Sequence, residues 1–488
     1  MGLSLRVAME DLPLYACEVL GSLKASYGDA RLVERRVESI EVKNGAPHAV
    51  TSHLSRGIGV RVIYKGSWGF AATSSLTKRA VGKACREAVK IASAGRAARA
   101  ERLELAPAEP LVAEYTTPFE EDPFEVPLEE KIGILMSADK ALAVEPAVKV
   151  RRSTYEGFEE RRIFASTEGA HIRQRIVQCG GGIMAVAVGN GDSQVRSWPH
   201  SFRGNFQSAG FEFVRGMDFT ANAGPIASEA AALLTAPPLP EGERTVILEG
   251  GQLALQIHES VGHPTELDRV LGFEAGYAGT SFVSPEMLGS YRYGSDHVSI
   301  TADATEPKGL GTFGYDDEGV PAQRVHLIRD GILEDLMTSR ETAGVLSRQA
   351  NGTMRADGWA RMPIVRMTNI NLLPGRWSFE DLLADTEDGL YMAVNRAWSI
   401  DDKRLNFQFG TEIAYEIKAG RLAKIYKNPS YTGITPSFWA SCDAVCGRDD
   451  YVMWGTPNCG KGQPGQTARV GHGTAPARFR NVRVGVYQ

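Results

Sequence analysis

The chain has 488 residues, more than one ordinary hydrophobic core organises, so two large domains are expected. It is 43% hydrophobic and 23% charged with a formal net charge of −5, the balance of a soluble globular protein and not the basic footprint of a nucleic-acid binder. Six cysteines are too few for a disulfide scaffold in a chain this long, and no apolar run reaches the roughly 18 residues that span a bilayer. Glu10-Asp11 interrupt any apolar stretch of a signal peptide, so a cytoplasmic location is expected, with no membrane contact.

In the first half, residues 7–27 space Leu12, Ala16, Val19, Leu20 and Leu23 as a helix does. From residue 30 to 73 the period changes to that of strands. Ser39-Ile40-Glu41-Val42-Lys43 alternates into the hairpin dipeptide Asn44-Gly45, and residues 57–64 and 66–71 read as two strands around Lys65-Gly66. Residues 75–94 return to helix. A Pro- and acid-rich stretch, 106–127, reads as an ordered loop or belt, followed by a helix over 128–143 and strands over 147–176. Gly180-Gly181-Gly182 reads as a break before the strand 183–188. Gly57-x-Gly59 precedes a strand, not a helix, so it is no dinucleotide fingerprint. This half offers no nucleophile, phosphate loop or ligand cluster and reads as scaffold and substrate wall.

Residues 235–244, rich in proline, mark the domain boundary, and Thr245-Val246-Ile247-Leu248-Glu249 reads as a strand feeding a helix that starts after Gly250-Gly251. That helix ends in His258-Glu259-Ser260-Val261-Gly262-His263, an H-E-x-x-x-H run. In H-E-x-x-H the two imidazoles stand about 40° apart on a helix and grip one zinc; a spacing of five puts them about 140° apart. A π-type turn would return both to one face, and Gly262 eases that distortion. By spacing alone, metal binding and a hydrogen-bonded core cluster are equally open. Asp316-Asp317-Glu318-Gly319 reads first as a turn, with an oxygen-rich metal site or a charge partner for substrate as alternatives. Hairpins are expected at Arg329-Asp330-Gly331 and Lys418-Ala419-Gly420. Cys459, in a Gly-rich loop, is a candidate third ligand, while Cys442 and Cys446, read as helical, suit buried thiol packing or one edge of a structural site.

The chain resembles the TldD/PmbA family of metallopeptidase-related proteins, also called modulators of DNA gyrase. The resemblance rests on the H-E-x-x-x-H run, on Asp316-Asp317-Glu318-Gly319, on the strand pair from Gly57 to Ala71 and on Asn458-Cys459-Gly460-Lys461-Gly462, and it covers essentially the whole length. It implies a Zn²⁺ site made by His258, His263 and Cys459, with Glu259 as general base, and the TldD-like catalytic type because the metal motif is kept. It implies a peptide substrate in an enclosed cavity and a homodimer, or a heterodimer with a motif-less PmbA-like subunit. Pro264-Thr265-Glu266-Leu267-Asp268 and the block from Phe438-Trp439 to Cys446 depart from the best-known members. The expectation is zinc-dependent hydrolysis of unfolded or modified peptides. Two rivals stand beside it: a non-enzymatic peptide-binding or partner subunit stapled by four-ligand zinc, with Cys442, Cys446 or His472 as the fourth ligand, and a Cys459/His472 hydrolase dyad. Should Cys459 not ligate, Glu266, Cys442 and His472 are the replacements. The fold expected is α+β, with largely antiparallel sheet and a few helices in each of two domains: 1–234, then the 235–244 linker, then 245–488 carrying the metal site.

Overall fold

Strands of unusual length build the first half of this computed structural model, which describes residues 10–96 and 102–487. The readings made of residues 1–9 lie outside the described residues. After a short helix α1 (Leu12–Ser22) come β1 (Tyr27–Lys43), β2 (Ala46–Tyr64) and β3 (Ser67–Thr73), then helix α2 (Lys78–Gly95) and strand β4 (Val112–Thr116). Helix α3 (Leu128–Ala141) leads into β5 (Val148–Ser166), β6 (His171–Gly189), β7 (Asp192–Trp198), β8 (Asn205–Gln207) and helix α4 (Phe219–Leu233). All eight strands form one sheet, in the order β3-β2-β1-β5-β6-β4, with β7 and β8 also on β6; only β4 runs parallel to its neighbour. The expected turns at Asn44-Gly45 and Lys65-Gly66 join β1 to β2 and β2 to β3, with left-handed backbone at all four residues.

Two apolar layers cover this sheet. Leu12, Ala16 and Leu20 of α1 meet Val81, Ala84 and Ala88 of α2 over Ile58, Val60 and Val62, and Leu135 and Ala138 of α3 meet Ala223, Ile226 and Ala227 of α4 over Val148 and Ile183. The tip of the β1–β2 hairpin stands clear, with Val50 and Leu54 exposed.

The glycine triplet is a correction. It does not break a strand; β6 runs unbroken from His171 to Gly189. The glycines are there because β8 crosses closely: a Cβ on Gly180 would lie 2.1 Å from the Asn205 carbonyl oxygen, and one on Gly182 would lie 2.4 Å from Gly204 Cα. The belt over 106–127 also contains a short strand, β4.

In the second half, β9 (Gly242–Leu248) starts inside the stretch read as a linker, because Gly242 and Arg244 ladder with Val484 and Val482. Helix α5 (Gly250–Ile257) follows, then β10 (Ile300–Asp303), β11 (Arg324–Arg329), β12 (Ile332–Leu333), β13 (Met354–Arg355), β14 (Ile364–Val365) and β15 (Ile370–Leu372). The remaining strands are β16 (Asp388–Ile400), β17 (Asn406–Lys418), β18 (Arg421–Tyr426), β19 (Pro429–Ile434), β20 (Cys442–Val445), β21 (Val452–Lys461), β22 (Gln466–Thr474) and β23 (Ala477–Val486). The sheet order is β16-β9-β23-β19-β17-β18, and a further pairing of β16 with β17 closes five of these strands into a ring. Cys442 and Cys446 are a second correction: Cys442 opens a strand, β20, rather than a helix, and both thiols are buried packing groups. The hairpins expected at Arg329-Asp330-Gly331 and Lys418-Ala419-Gly420 join β11 to β12 and β17 to β18. The architecture is α+β, largely antiparallel, as expected.

Every residue of α5 is buried, the condition in which a helix is apolar all round or has its polar groups satisfied internally. Leu253, Ile257 and Val261 share a core with Val246, Phe409, Trp439 and Phe479. One hydroxyl links the two glutamines of the helix: Gln252 donates to Tyr431 Oη at 2.9 Å, and Tyr431 Oη donates to Gln256 Oε1 at 2.9 Å. The ring of strands therefore fixes the helix on whose end the histidines stand.

Candidate metal centre

The helix start is built by Glu249, whose carboxylate accepts the N–H groups of Gly251 at 2.8 Å and Gln252 at 3.0 Å, a capping arrangement for otherwise orphaned donors. Its other end becomes a π turn over His258–Gly262, with the His263 N–H bonded to the His258 carbonyl, five residues back. The local sequence explains why. Pro264 has no N–H to give the Ser260 carbonyl, which is taken instead by the Tyr293 hydroxyl. Gly262 is pressed on Met367, whose Sδ lies 2.2 Å from where a Cβ would be. Thr265 Oγ1 then closes the turn on the Val261 carbonyl at 2.8 Å. The turn brings the two imidazoles together, with ring centroids 4.9 Å apart.

Cys459 arrives from β21, beside a bulge between Thr456 and Cys459. Its Sγ lies 3.7 Å from His263 Nε2, and the ligand atoms of His258, His263 and Cys459 all fall within 4.8 Å of one another, with all three residues buried. Zinc–nitrogen bonds near 2.0–2.1 Å and zinc–sulfur bonds near 2.3 Å in a tetrahedron need donors roughly 3.3–3.8 Å apart. The Cys459–His263 pair already stands at such a separation, and the whole set, within 4.8 Å, would close on a zinc-sized ion with a shift of about an ångström.

Hydrogen bonds leave the correct nitrogens free. His472 Nδ1 meets the Ile370 carbonyl at 3.2 Å, so its Nε2 is left to accept from His258 Nδ1 at 2.8 Å. His263 Nδ1 meets the Glu266 carboxylate at 3.0 Å. Both motif histidines then point an Nε2 lone pair inward, the pattern in which an outer partner fixes tautomer and ring orientation. Burial lowers the pKa of His258 and takes that of His263 well below the ordinary imidazole value, favouring the neutral form that can bind a metal. Burial alone would raise the Cys459 thiol, but the Arg366 guanidinium and the bond to His263 bring it below its ordinary value. The other five cysteines move the opposite way, Cys442 and Cys446 being pushed up to about 12 by burial. A thiolate is the form that binds metal, and Cys459 is the cysteine placed to be one.

The candidates weighed from sequence separate clearly. Glu259, between the two histidines in sequence, is buried, and its carboxylate is gripped by the Arg404 guanidinium from the β16–β17 connection. His472 serves His258 and not Cys459, so the Cys459/His472 dyad is not assembled. Glu266 faces His263 Nδ1, with Lys461 Nζ 3.2 Å away; Lys461 also donates to Asp268 at 2.6 Å. The Cys-Gly-Lys sequence thus places a candidate ligand, Cys459, two residues from the cation that balances the carboxylate on His263. Arg404 and Arg366 carried no sequence signal, since each lies more than 90 residues from the group it touches.

Asp316-Asp317-Glu318-Gly319 is a buried turn, with Gly319 at φ +78°. Asp316 accepts the N–H groups of Glu318, Val320 and Met354 at 2.8, 2.9 and 3.1 Å. Asp317 pairs with Arg31 at 3.4 Å and with Arg162, and Glu318 pairs with Arg61 at 3.0 Å. Buried carboxylates require such partners, and these come from β1, β2 and β5. The motif ties the metal-bearing half to the long sheet.

An α+β chain with a buried His₂Cys donor set and a carboxylate beside it defines a metallohydrolase-like protein. Residues 241–486 match the PmbA/TldA metallopeptidase C-terminal domain, residues 28–92 its domain 1 and residues 121–236 its central domain. A metalloprotease from Methanocaldococcus jannaschii is 32% identical over 448 residues, 92% of this chain and 94% of that protein. A zinc metalloprotease TldD homolog from Saccharolobus solfataricus is 27% identical over 247 residues, 50% of this chain and 52% of that one. The crystal structure of TldE from Thermococcus kodakarensis has the same fold, with a TM-score of 0.71 at 16% identity over 98% of this chain and all of that one. The chain belongs to the PmbA/TldD metallopeptidase family.

Proposed function

We propose that this protein is a zinc-dependent peptidase that hydrolyses unfolded or modified peptides, with His258, His263 and Cys459 as metal ligands and Glu259 as general base. The observation that carries the reading is the convergence of three buried donor atoms within 4.8 Å, next to a carboxylate held between them in sequence. Three protein donors leave a coordination position open, whereas a structural staple uses four. Bound zinc would supply a Lewis acid for the peptide carbonyl and a water acidic enough to lose its proton near neutrality.

The chain's own groups supply the remainder. Glu259 takes the proton of the attacking water and delivers it to the leaving amine. Arg404 holds that carboxylate in place, and its Nε is buried with no hydrogen-bond partner among the described residues. Burial of the whole cluster excludes bulk water and strengthens every charge interaction within it. A thiolate ligand softens the metal's acidity, which suits slow turnover on disordered chains. The proposal includes dimerisation, as a homodimer or with a motif-less PmbA-like subunit. The projecting β1–β2 hairpin with exposed Val50 and Leu54, and exposed Trp398 on β16, are surfaces that support it. Among the described residues no helix is long and apolar enough to cross a membrane.

The test is metal content followed by one substitution. Protein purified without chelator should carry about one zinc per chain, the count for a single catalytic site, and Glu259→Ala should keep that zinc while losing cleavage of an unstructured peptide. An active, zinc-loaded Glu259→Ala protein would refute the role given to Glu259. A metal-free chain that cleaves peptide would refute the site.

A further inference from the structure

Beside the metal centre lies a cavity of about 230 Å³, walled by β5 and β6 on one side and by the β13 and β22 segments on the other. Ala468, which lines it, stands opposite Cys459 in the β21–β22 ladder, and such partners have Cα atoms about 4.5–5.5 Å apart. The cavity and the ligand set are therefore separated by one rung of a hairpin. Complete small-molecule sites run from about 300 Å³ upward, so this one has room for the end of a longer ligand.

Four guanidiniums line it, from Arg35, Arg162, Arg355 and Arg469, together with three carboxylates, from Glu160, Asp317 and Asp357. Arg35 is paired with both Glu160 and Asp357, Arg162 with Asp317, and Arg469 with Glu156. Arg355 has no carboxylate partner among the described residues. Its Nη1 donates to the Met367 carbonyl at 3.0 Å, and its guanidinium lies 5.6 Å from the centre of the Phe313 ring. Burial, with Arg366 and Arg162 nearby, pulls Arg355 down to about 10, which leaves it charged at neutral pH. Arg469 adds a second unmet donor, since its Nη2 is buried with no hydrogen-bond partner. Asp317 and Glu160 act on Arg355 from a distance, but a largely desolvated cation with no carboxylate directly paired to it is costly to keep, and a planar guanidinium fork matches a carboxylate.

The position of Arg355 is also fixed in advance. The Met354 N–H bonds to Asp316, and the Ala356 N–H bonds to Asp317 at 2.7 Å. The acidic motif thus pins the backbone on both sides of the unpaired arginine. Preorganisation of this kind is what a binding group needs.

We propose that this cavity is the subsite for the free C-terminal carboxylate of the substrate peptide, with Arg355 as the residue that selects it and Arg469 as a second donor. The inference rests on the peptidase reading for the word substrate, though not for the anion site itself. Phe158, Ile176, Leu310 and Phe313 give the same cavity an apolar wall for the terminal side chain. Because the cavity lies one ladder rung from Cys459, cleavage falls within a few residues of the C-terminus, and the products are a shortened chain and small C-terminal fragments. An acidic side chain carries the same chemistry as the terminus, so the experiment has to separate the two.

Binding of three fluorescent peptides to the zinc-loaded full chain carrying Glu259→Gln would be measured: one with a free C-terminus, its C-terminal carboxamide, and the carboxamide with a glutamate next to the end. The free acid should bind at least tenfold more tightly than either amide. Arg355→Gln should erase the difference and Arg355→Lys should restore part of it, with thermal unfolding confirming that both variants fold. Equal affinity for acid and amide, weak binding of all three, or a preference that survives Arg355→Gln would overturn the subsite. Tight binding of the glutamate-bearing amide would overturn the terminal assignment. Cleavage by the unsubstituted chain distinguishes the two readings. Equal kcat/KM on acid and amide removes the subsite and leaves the peptidase, whereas acid-selective binding with no cleavage of any peptide removes the peptidase and leaves the subsite.

Discussion

Replacing His472 with leucine tests whether the metal centre is tuned from outside its ligand set. His472 is fully buried, and leucine fills similar space without a polar atom. The substitution removes the acceptor that lies 2.8 Å from His258 Nδ1. It also strips the Ile370 carbonyl of its donor at 3.2 Å. Each orphaned polar group costs roughly 1–3 kcal/mol when buried, so the metal-free protein should unfold a few degrees lower. The larger effect is on the ligand, because the His258 ring loses the bond that sets its tautomer and rotation. Loss of such an outer partner weakens metal binding by about 10–100-fold, equivalent to about 1.4–2.7 kcal/mol. The assay is competition for zinc between the metal-free chain and a chromophoric chelator, with His48→Leu on the exposed β1–β2 hairpin as control. Affinity within threefold of the unsubstituted chain would refute the supporting role. A loss beyond about a thousandfold would make His472 a ligand in its own right and return the four-ligand staple to consideration.

Cys459→Ser should lose most of the zinc at equilibrium with a competing chelator while the apo chain keeps its unfolding temperature; unchanged affinity would remove Cys459 from the ligand set. His200, buried against the Gly251 carbonyl at 3.1 Å, is depressed by burial from 6.5 to about 4. The folded protein therefore binds fewer protons than the unfolded chain below pH 6.5, and stability falls as pH drops from about 6.5 to about 4, by up to roughly 3 kcal/mol. Unfolding midpoints in urea across that range should show the slope, and His200→Asn should flatten it; a variant with the same slope would contradict the assignment. Gly181→Ala puts a Cβ 2.1 Å from the Thr154 carbonyl oxygen on β5. Backbone cannot move aside as a side chain can, so the urea midpoint should fall by an equivalent of about 3 kcal/mol; an unchanged midpoint would mean that the β5–β6 ladder is looser than described.

The sequence was most legible where a local rule suffices. Asn44-Gly45, Lys65-Gly66 and Asp330-Gly331 each specify a hairpin by their tolerance of left-handed backbone, and the structure places a turn at each. The H-E-x-x-x-H spacing demanded a π turn if both histidines were to share a face, and Pro264 and Gly262 supplied the means. Failures fell where distant backbone decides. Gly180-Gly181-Gly182 has the composition of a break, yet β8 needs that space, and the residues that close the gap lie more than 20 positions downstream. Cys442 and Cys446 have helical spacing, yet Cys442 enters the edge of the ring through pairing with Phe479. Arg404 and Arg366 were invisible for the same reason: an arginine's partner is a fact of tertiary structure. Resemblance to the family supplied the proposed ligand set, and the structure supplied what surrounds it.

Those surroundings give the two neighbouring regions different electrostatic character. Around the proposed ligand set, Glu259, Glu266 and Asp268 face Arg404, Arg366 and Lys461, so three anions meet three cations before any metal is present. On the proposed reading, a dication bound there with the Cys459 thiol deprotonated would turn the region positive, suited to oxygen that gains charge during attack. One rung away, the cavity holds the Arg355 guanidinium with no carboxylate paired to it among the described residues and no metal involved. On the proposed reading this separation has a chemical purpose. A peptide's free carboxylate is itself a good ligand for zinc and would block the centre if it were drawn there. A stronger attraction one step to the side takes the carboxylate out of competition and leaves the neutral amide to face the metal. The acidic motif at Asp316–Glu318 maintains the arrangement. It holds Arg355 through the backbone while its own charges are spent on Arg31, Arg61 and Arg162, so the arginine that meets the substrate remains unpaired.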